Sequence, residues 1–228
     1  MSKSSKERLY ADLKRKILTL SFEPGAHLDE MTLSADYGIS RTPLREVFRR
    51  LAGEGYIQIR NNRGTIVSPM SHKSLRDFFQ TAPMIYASIA RLAARNAEFG
   101  QIKALKEAQK KFRKAVDADA IEDMVFWNDR FHFEMGVMAD NHYLMPSLQR
   151  LLIDHARIGQ TFWRARNPSM KGRIDEASNH HDRFIELIEA GDEEAAVALT
   201  LDHWALSRDH MDLYVRPDPL PVDVMIET

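Results

Sequence analysis

The feature that most constrains this chain is a break between two short helices. Helical periodicity runs from about Asp29 to Tyr37, stops at Gly38-Ile39-Ser40, and resumes with Leu44, Val47, Phe48 and Leu51 on one stripe. Gly38 suits the left-handed conformation that closes a helix, Ser40 is a good N-cap, and Pro43 is at home in a first turn. The two helices must therefore turn sharply against each other and bury that stripe on something. Upstream, residues 6–20 read as a helix with Leu9, Leu13, Ile17 and Leu20 inward, stopped by Phe22-Glu23-Pro24-Gly25. Downstream, after Gly53 and Gly55, Tyr56-Ile57-Gln58-Ile59-Arg60 alternates like a strand. Asn61-Asn62-Arg63-Gly64 then turns and Thr65-Ile66-Val67 returns. Three helices and a β-hairpin in this order predict a winged helix-turn-helix.

The rest is helical. After a linker at Ser68-Pro69-Met70-Ser71, helical periodicity covers 72–98, 101–118, 120–139, 143–165, 173–190 and 192–214. The divisions fall at Gly100, Asn141, Asn167-Pro168 and Gly191-Asp192. Six helices with short connections predict an all-α bundle. Pro217, Pro219 and Pro221 make the tail extended rather than helical. The expected class is thus mostly α: a winged helix-turn-helix domain over 1–70 and a helical-bundle domain over 71–228.

Charge separates along the same line. The net charge of −1 hides 12 Lys and Arg against 8 Asp and Glu in residues 1–70, and 20 against 25 in the remainder. A basic module on an acidic body suits a polyanion partner. Thr42, Arg45, Glu46 and Arg49 lie opposite the apolar stripe, with Arg41 at the helix start and Arg50 to one side. Such a face also occurs on any solvated helix. Between a turn and a wing, it has the character of a major-groove reader, because arginine can donate two hydrogen bonds to guanine O6 and N7. Arg63 and Gly64 at the wing tip suit a close approach to the backbone and minor groove. With no cysteine, disulfides and thiolate metal sites are excluded. The opening MSKSSKERLYADLKRK lacks the apolar segment of a signal peptide, and no apolar run is long enough to span a bilayer. A cytoplasmic protein with no membrane contact is expected.

Pro24-Gly25, Leu28, Glu30, Leu33, the run Gly38 to Val47 (Gly-Ile-Ser-Arg-Thr-Pro-Leu-Arg-Glu-Val), Leu51, Glu54-Gly55 and Asn62-Arg63-Gly64 together resemble the GntR family of transcription repressors. The resemblance implies double-stranded operator DNA as partner, a homodimer, and Arg41, Thr42, Arg45 and Arg49 as DNA contacts assisted by Arg63 and Gly64. Some relatives place a further arginine where this chain has Met31. Residues 72–214 resemble the FCD effector domain of the FadR subfamily, through Ala90-Arg91-Leu92-Ala93-Ala94, Asn128, Phe131-His132, Asn141, His181, Ile188 to Ala196, and His203.

Eight of the nine histidines lie beyond residue 70. Asn128 and His132, four apart, share a helix face, while His181 and His203 fall on the last two helices. Such residues are as readily packing groups as ligands when judged by spacing alone. Converging, three imidazoles and an oxygen donor would suit a divalent ion, with zinc first and nickel, manganese or iron also compatible. The resemblance implies this role for Asn128, His132, His181 and His203, and a small-molecule effector beside them. Asp129 and His180 sit one residue off the pattern, about 100° away around a helix. Where relatives carry Arg and Glu in the first bundle helix, this chain has Ala82 and Tyr86, so the usual polar lining is expected to be missing. Because Asn128 is neutral, the ion's charge would stand uncompensated, which favours a small organic acid as effector.

A metal-dependent enzyme on a DNA-binding arm is the alternative. It lacks support because Asp129, Asp154, His155 and His210 sit at no catalytic spacing, and no HExxH, nucleophile elbow or phosphate loop occurs. A third reading makes the bundle only a dimerisation body with core histidines. Metal content and acid binding separate it from the sensor.

Overall fold

The computed structural model describes residues 5–60, 64–164 and 168–215. α1 (Ser5–Leu18) buries Leu9, Leu13, Ile17 and Leu18. Leu20 does not extend the stripe. It turns the chain with φ of 58° and is only half-buried, so Leu18 fills the core position instead. β1 (His27–Leu28) leads into α2 (Glu30–Tyr37), whose N-cap Asp29 accepts from Thr32 N at 2.7 Å. Gly38 closes α2 with φ of 59°, its N–H donating to Ala35 and Ser34 carbonyls.

α3 (Arg41–Glu54) buries Leu44, Val47, Phe48 and Leu51 as expected, and runs through Gly53 to Glu54. Ser40 occupies the N-cap with extended backbone, but its side chain makes no capping bond. β2 (Ile57–Arg60) and β3 (Gly64–Val67) pair antiparallel, from Ile57 opposite Val67 to Arg60 opposite Gly64. β1 adds to the other side of β3, giving the order β1-β3-β2. The alternation expected in β2 fails at Ile59, which is exposed because the strand there has run past the core.

α4 (His72–Asn96), α5 (Phe99–Asp117), α6 (Ile121–Ala139), α7 (Leu144–Phe162), α8 (Pro168–Ala190) and α9 (Glu193–Val215) form the bundle. α4 packs on α6, α7, α8 and α9. α8 begins at Pro168 rather than 173. Read as a divider, that proline is instead its first residue, where the missing N–H would have no helical partner anyway. The three tail prolines lie outside the described residues. No helix among the described residues is long and apolar enough to cross a membrane.

The winged module and the bundle share a core. Leu9, Leu13, Phe48 and Val67 cluster with Phe112, Met124, Ile153 and Trp163. A second cluster fills the bundle's far side around Ile89, Leu105, Met138 and Phe184. α7 also sends three polar side chains across the seam. Arg150 donates to Gly55 O at 2.8 Å, Arg157 to Ser68 O at 3.0 Å, and Gln160 to Leu18 O at 3.3 Å. Arg157 is 1% exposed and also reaches Asp154 Oδ1 at 3.4 Å. Removing it leaves the Ser68 carbonyl without this donor and the buried Asp154 carboxylate without its partner. Arg157→Ala is therefore expected to destabilise the chain by on the order of 3 kcal/mol, read as a lower urea midpoint. An unchanged midpoint would show that the seam does not depend on this guanidinium.

Candidate functional site

Two regions carry the expected chemistry. On α3, Arg41, Thr42, Arg45 and Arg49 are exposed, and their spacing sets them along one outward face. Arg45 is held by Glu30 of α2 through Nε to Oε2 at 3.1 Å. Arg50 has a different duty: its guanidinium lies 3.7 Å from the Tyr10 ring centroid and pairs with Glu54 and Glu7, bracing α3 against α1. Met31, in place of the relatives' arginine, is exposed on α2. Gly64 opens β3 with φ of 73°, a conformation that favours glycine. Arg63 lies outside the described residues.

The second region is inside the bundle. His132 from α6, His181 from α8 and His203 from α9 each offer a ligand nitrogen, and these atoms all lie within 4.8 Å of one another. His132 Nε2, His181 Nε2, His203 Nδ1 and Asn128 Oδ1 are buried with no hydrogen-bond partner. His181 is positioned from two sides. Its ring stacks on Phe131 at 4.0 Å and 8°, and its Nδ1 stands 3.0 Å from Gln109 Oε1. The Gln109 amide nitrogen donates to Ser178 O and Asp182 Oδ1, so its oxygen is the acceptor. His181 then carries its proton on Nδ1 and keeps a lone pair on Nε2, as a metal-binding imidazole requires.

Burial holds His132 and His181 well below the usual histidine range, His203 at about 3 and His155 at about 4. The cluster is neutral at pH 7. Buried polar atoms without partners are costly, and three neutral imidazoles with an amide oxygen are a donor set that fits a divalent cation.

Asn128 and His203 line one side of a cavity of about 30 Å³, and His132 and His203 line a second of about 10 Å³. Two residues of this site escaped the sequence reading. His155 of α7, weighed only as a catalytic base, lines both cavities, its ring centroid 5.3 Å from that of His132. Its inward heptad-like spacing from Leu148 and Leu152 was the available signal. Tyr86 corrects the expectation that α4 lacks polar lining: its hydroxyl lies 2.8 Å from His155 Nδ1. Ala82 is buried and contributes none. His180 stands beside His203, ring centroids 5.6 Å apart, closer to the cluster than its register suggested. Asp129 does turn away. It lines a separate pocket with Lys14 and Tyr56 at the seam, where burial raises its carboxyl to about 6.

A winged helix-turn-helix with an exposed cationic face on α3 is thus built onto a helical bundle. The chain belongs to the gntR family of bacterial regulatory proteins, in the FadR-like group that carries an FCD domain: residues 5–67 match the former and residues 77–206 the latter. It is 30% identical over 145 residues to the HTH-type transcriptional repressor RspR of Escherichia coli (strain K12), a match spanning 64% of this chain and 64% of that repressor's length. It is also 30% identical over 187 residues, 79% of this chain and 77% of the relative, to a Paenarthrobacter nicotinovorans protein named "Probable D-xylose utilization operon transcriptional repressor". In fold it is similar to E. coli McbR/YncC, with a TM-score of 0.74 at 18% identity over 93% of this chain and 98% of that one.

The depressed histidines fix a pH response for the metal-stripped chain. Unfolded imidazoles take a proton near pH 6.5, these only near 3 to 4. The stability from keeping them neutral is full above pH 6.5 and is lost as pH falls toward 4. In chelator, the urea midpoint is expected to drop between pH 7 and pH 5, by on the order of 1 kcal/mol per histidine. His203→Gln should flatten that slope. A slope unchanged by the substitution would place His203 in solvent.

Proposed function

We propose that the protein is a cytoplasmic, homodimeric repressor that releases its operator when a small organic acid binds beside a divalent metal ion held by Asn128, His132, His181 and His203. The observation that carries this reading is the buried cluster itself: nitrogens within 4.8 Å of one another, their lone pairs unpartnered in the protein. Zinc suits such a nitrogen-rich set first, ahead of nickel, manganese or iron. When bound, the ion would supply positive charge and open coordination positions for a carboxylate. Asn128 contributes oxygen without charge, so the anion is left to neutralise the site. The repressor names of the E. coli and P. nicotinovorans relatives support repression. One winged module has a small footprint, and a two-fold dimer on an inverted repeat doubles it.

The elements that frame the site also touch the DNA-binding module. α7 presents His155 to the cavities and Arg150, Arg157 and Gln160 to the ends of β3, α1 and α3. α6 presents Asn128 inward and Asp129 at the seam. A shift of either helix on acid binding would move the winged module relative to its dimer mate, and with it the spacing of the two recognition helices.

The test of the site is titration calorimetry on chelated protein. Zinc is expected to bind once per chain, and His132→Ala to weaken both zinc and acid. Asn128→Asp adds a negative charge beside the ion, worth at most about 4 kcal/mol at about 4 Å before relaxation. It should bind zinc more tightly and the acid less tightly, each by ten-fold or more. If zinc affinity is indifferent to both substitutions, the metal assignment is wrong.

At the other end, Arg45→Ala and Arg49→Ala are each expected to remove about 1–3 kcal/mol of discrimination between operator and scrambled DNA at one fixed salt concentration. Wild-type operator affinity in both variants would refute the recognition face.

A further inference from the structure

The body of the acid is read by residues outside the metal set. The larger cavity is lined by Asn128, His155 and His203 and otherwise mostly by apolar and aromatic side chains, among them Ile158, Phe162 and Leu206. The smaller one, beyond His132, adds Ile89, Met135 and Phe184. His155, His203 and Trp204 line both, so these side chains form the partition between them. Among the described lining residues of either cavity there is no Lys, Arg, Asp or Glu. The Thr200 hydroxyl already donates to Ala196 O at 2.8 Å within its own helix. Besides Asn128 and the histidines, the other polar groups of the lining residues are the Tyr86 hydroxyl and the indole N–H groups of Trp163 and Trp204.

We infer that the effector is a compact monocarboxylate with an apolar, branched or aromatic body, and that His155, set by Tyr86, is the residue that orients it. This rests on the metal-and-carboxylate reading above. One anionic group has a place, at the ion. A second carboxylate, or the hydroxyls of a sugar acid, would enter a mostly apolar wall with no cation to replace lost water. A hydrocarbon body there gains from leaving water instead.

Tyr86 and His155 supply the one polar contact that the metal ligands do not. Tyr86 Oη lies 2.8 Å from His155 Nδ1, and with Tyr86 as the donor the imidazole proton sits on Nε2. That proton is a donor for the carboxylate oxygen that faces away from the ion. At about 30 and 10 Å³ the cavities as they stand hold water rather than an acid. Rotation of Trp204, their common wall, joins them into one. Gly159 keeps the larger cavity's floor low: a Cβ there would stand 2.9 Å from Trp163 Nε1, so the indole lies directly on the α7 backbone.

The experiment is calorimetry on the full-length, zinc-loaded protein with isovalerate, benzoate, acetate, malonate, succinate and gluconate. Isovalerate or benzoate is expected to bind at least ten-fold more tightly than succinate, malonate or gluconate. Trp204→Ala should cut the ratio of benzoate to acetate affinity about ten-fold. His155→Phe should weaken every acid that binds. Tighter binding of succinate, malonate or gluconate than of both apolar acids in the wild type overturns the inference. If that binding is lost in His132→Ala, the metal reading stands without it. If none of the six acids binds, or if His132→Ala binds benzoate like the wild type, both readings fall together. The ranking is made on the unaltered protein, so it holds whether or not a variant folds.

Discussion

The arrangement of this protein depends on a core that does not stop at the boundary between its two modules. α1 buries its apolar stripe against α3 on one side and against α6 and α7 on the other. An apolar seam of this kind leaves the ends of backbone elements dry, and a dry carbonyl must find a donor. One helix, α7, supplies a donor to each, with Ser68 Oγ adding a second at Gly55 O. Gln160 serves the end of α1 at Leu18, Arg150 the cap of α3 at Gly55, and Arg157 the residue after β3 at Ser68. α7 thus terminates three elements of the winged module, and the module sits where α7 puts it.

The same logic, inverted, marks the histidine cluster. At the seam the three backbone carbonyls each have a donor from α7, although Arg157 Nε and Nη2 and Asp129 Oδ1 are buried without partners. In the bundle, nitrogens of three imidazoles and the oxygen of Asn128 have none. Gln109 nevertheless goes to some length, through Ser178 and Asp182, to fix which nitrogen of His181 carries the proton. A side chain oriented so carefully toward nothing in the chain is oriented toward something else. What distinguishes the cluster is that three such nitrogens converge within 4.8 Å of one another.

Much of this was legible in the sequence. The stripe Leu44, Val47, Phe48 and Leu51 and the Gly38 cap determined the helix-turn-helix, because periodicity and left-handed caps are local properties. The convergence of His132, His181 and His203 was expected only through family resemblance, since spacing along three separate helices cannot report it. What escaped has a common cause. β1 is two residues long and exists only because β3 pairs with it, so no alternation could reveal it. Leu20 continues a helical period that the backbone has already left. Ser40 has the right residue type at its cap without the bond, and Ile59 the right period beyond the reach of the core. His155 and Tyr86 are unremarkable in their own helices and become a pair only across α4 and α7.

The double duty of α7 also bears on how such a sensor can diverge. A substitution on α7 that reshapes the cavity around His155 or Gly159 risks the three carbonyls that the same helix closes, and so the placement of the DNA-reading module. Tyr86 on α4 and Trp204 on α9 carry no such obligation among these three caps. Change of ligand preference is therefore channelled: α4 and α9 are free to explore new chemistry, while α7 is held by its second employer. Chains that diverge from this one should differ first at the positions of Ala82, Tyr86 and Trp204, and last along Arg150, Arg157 and Gln160.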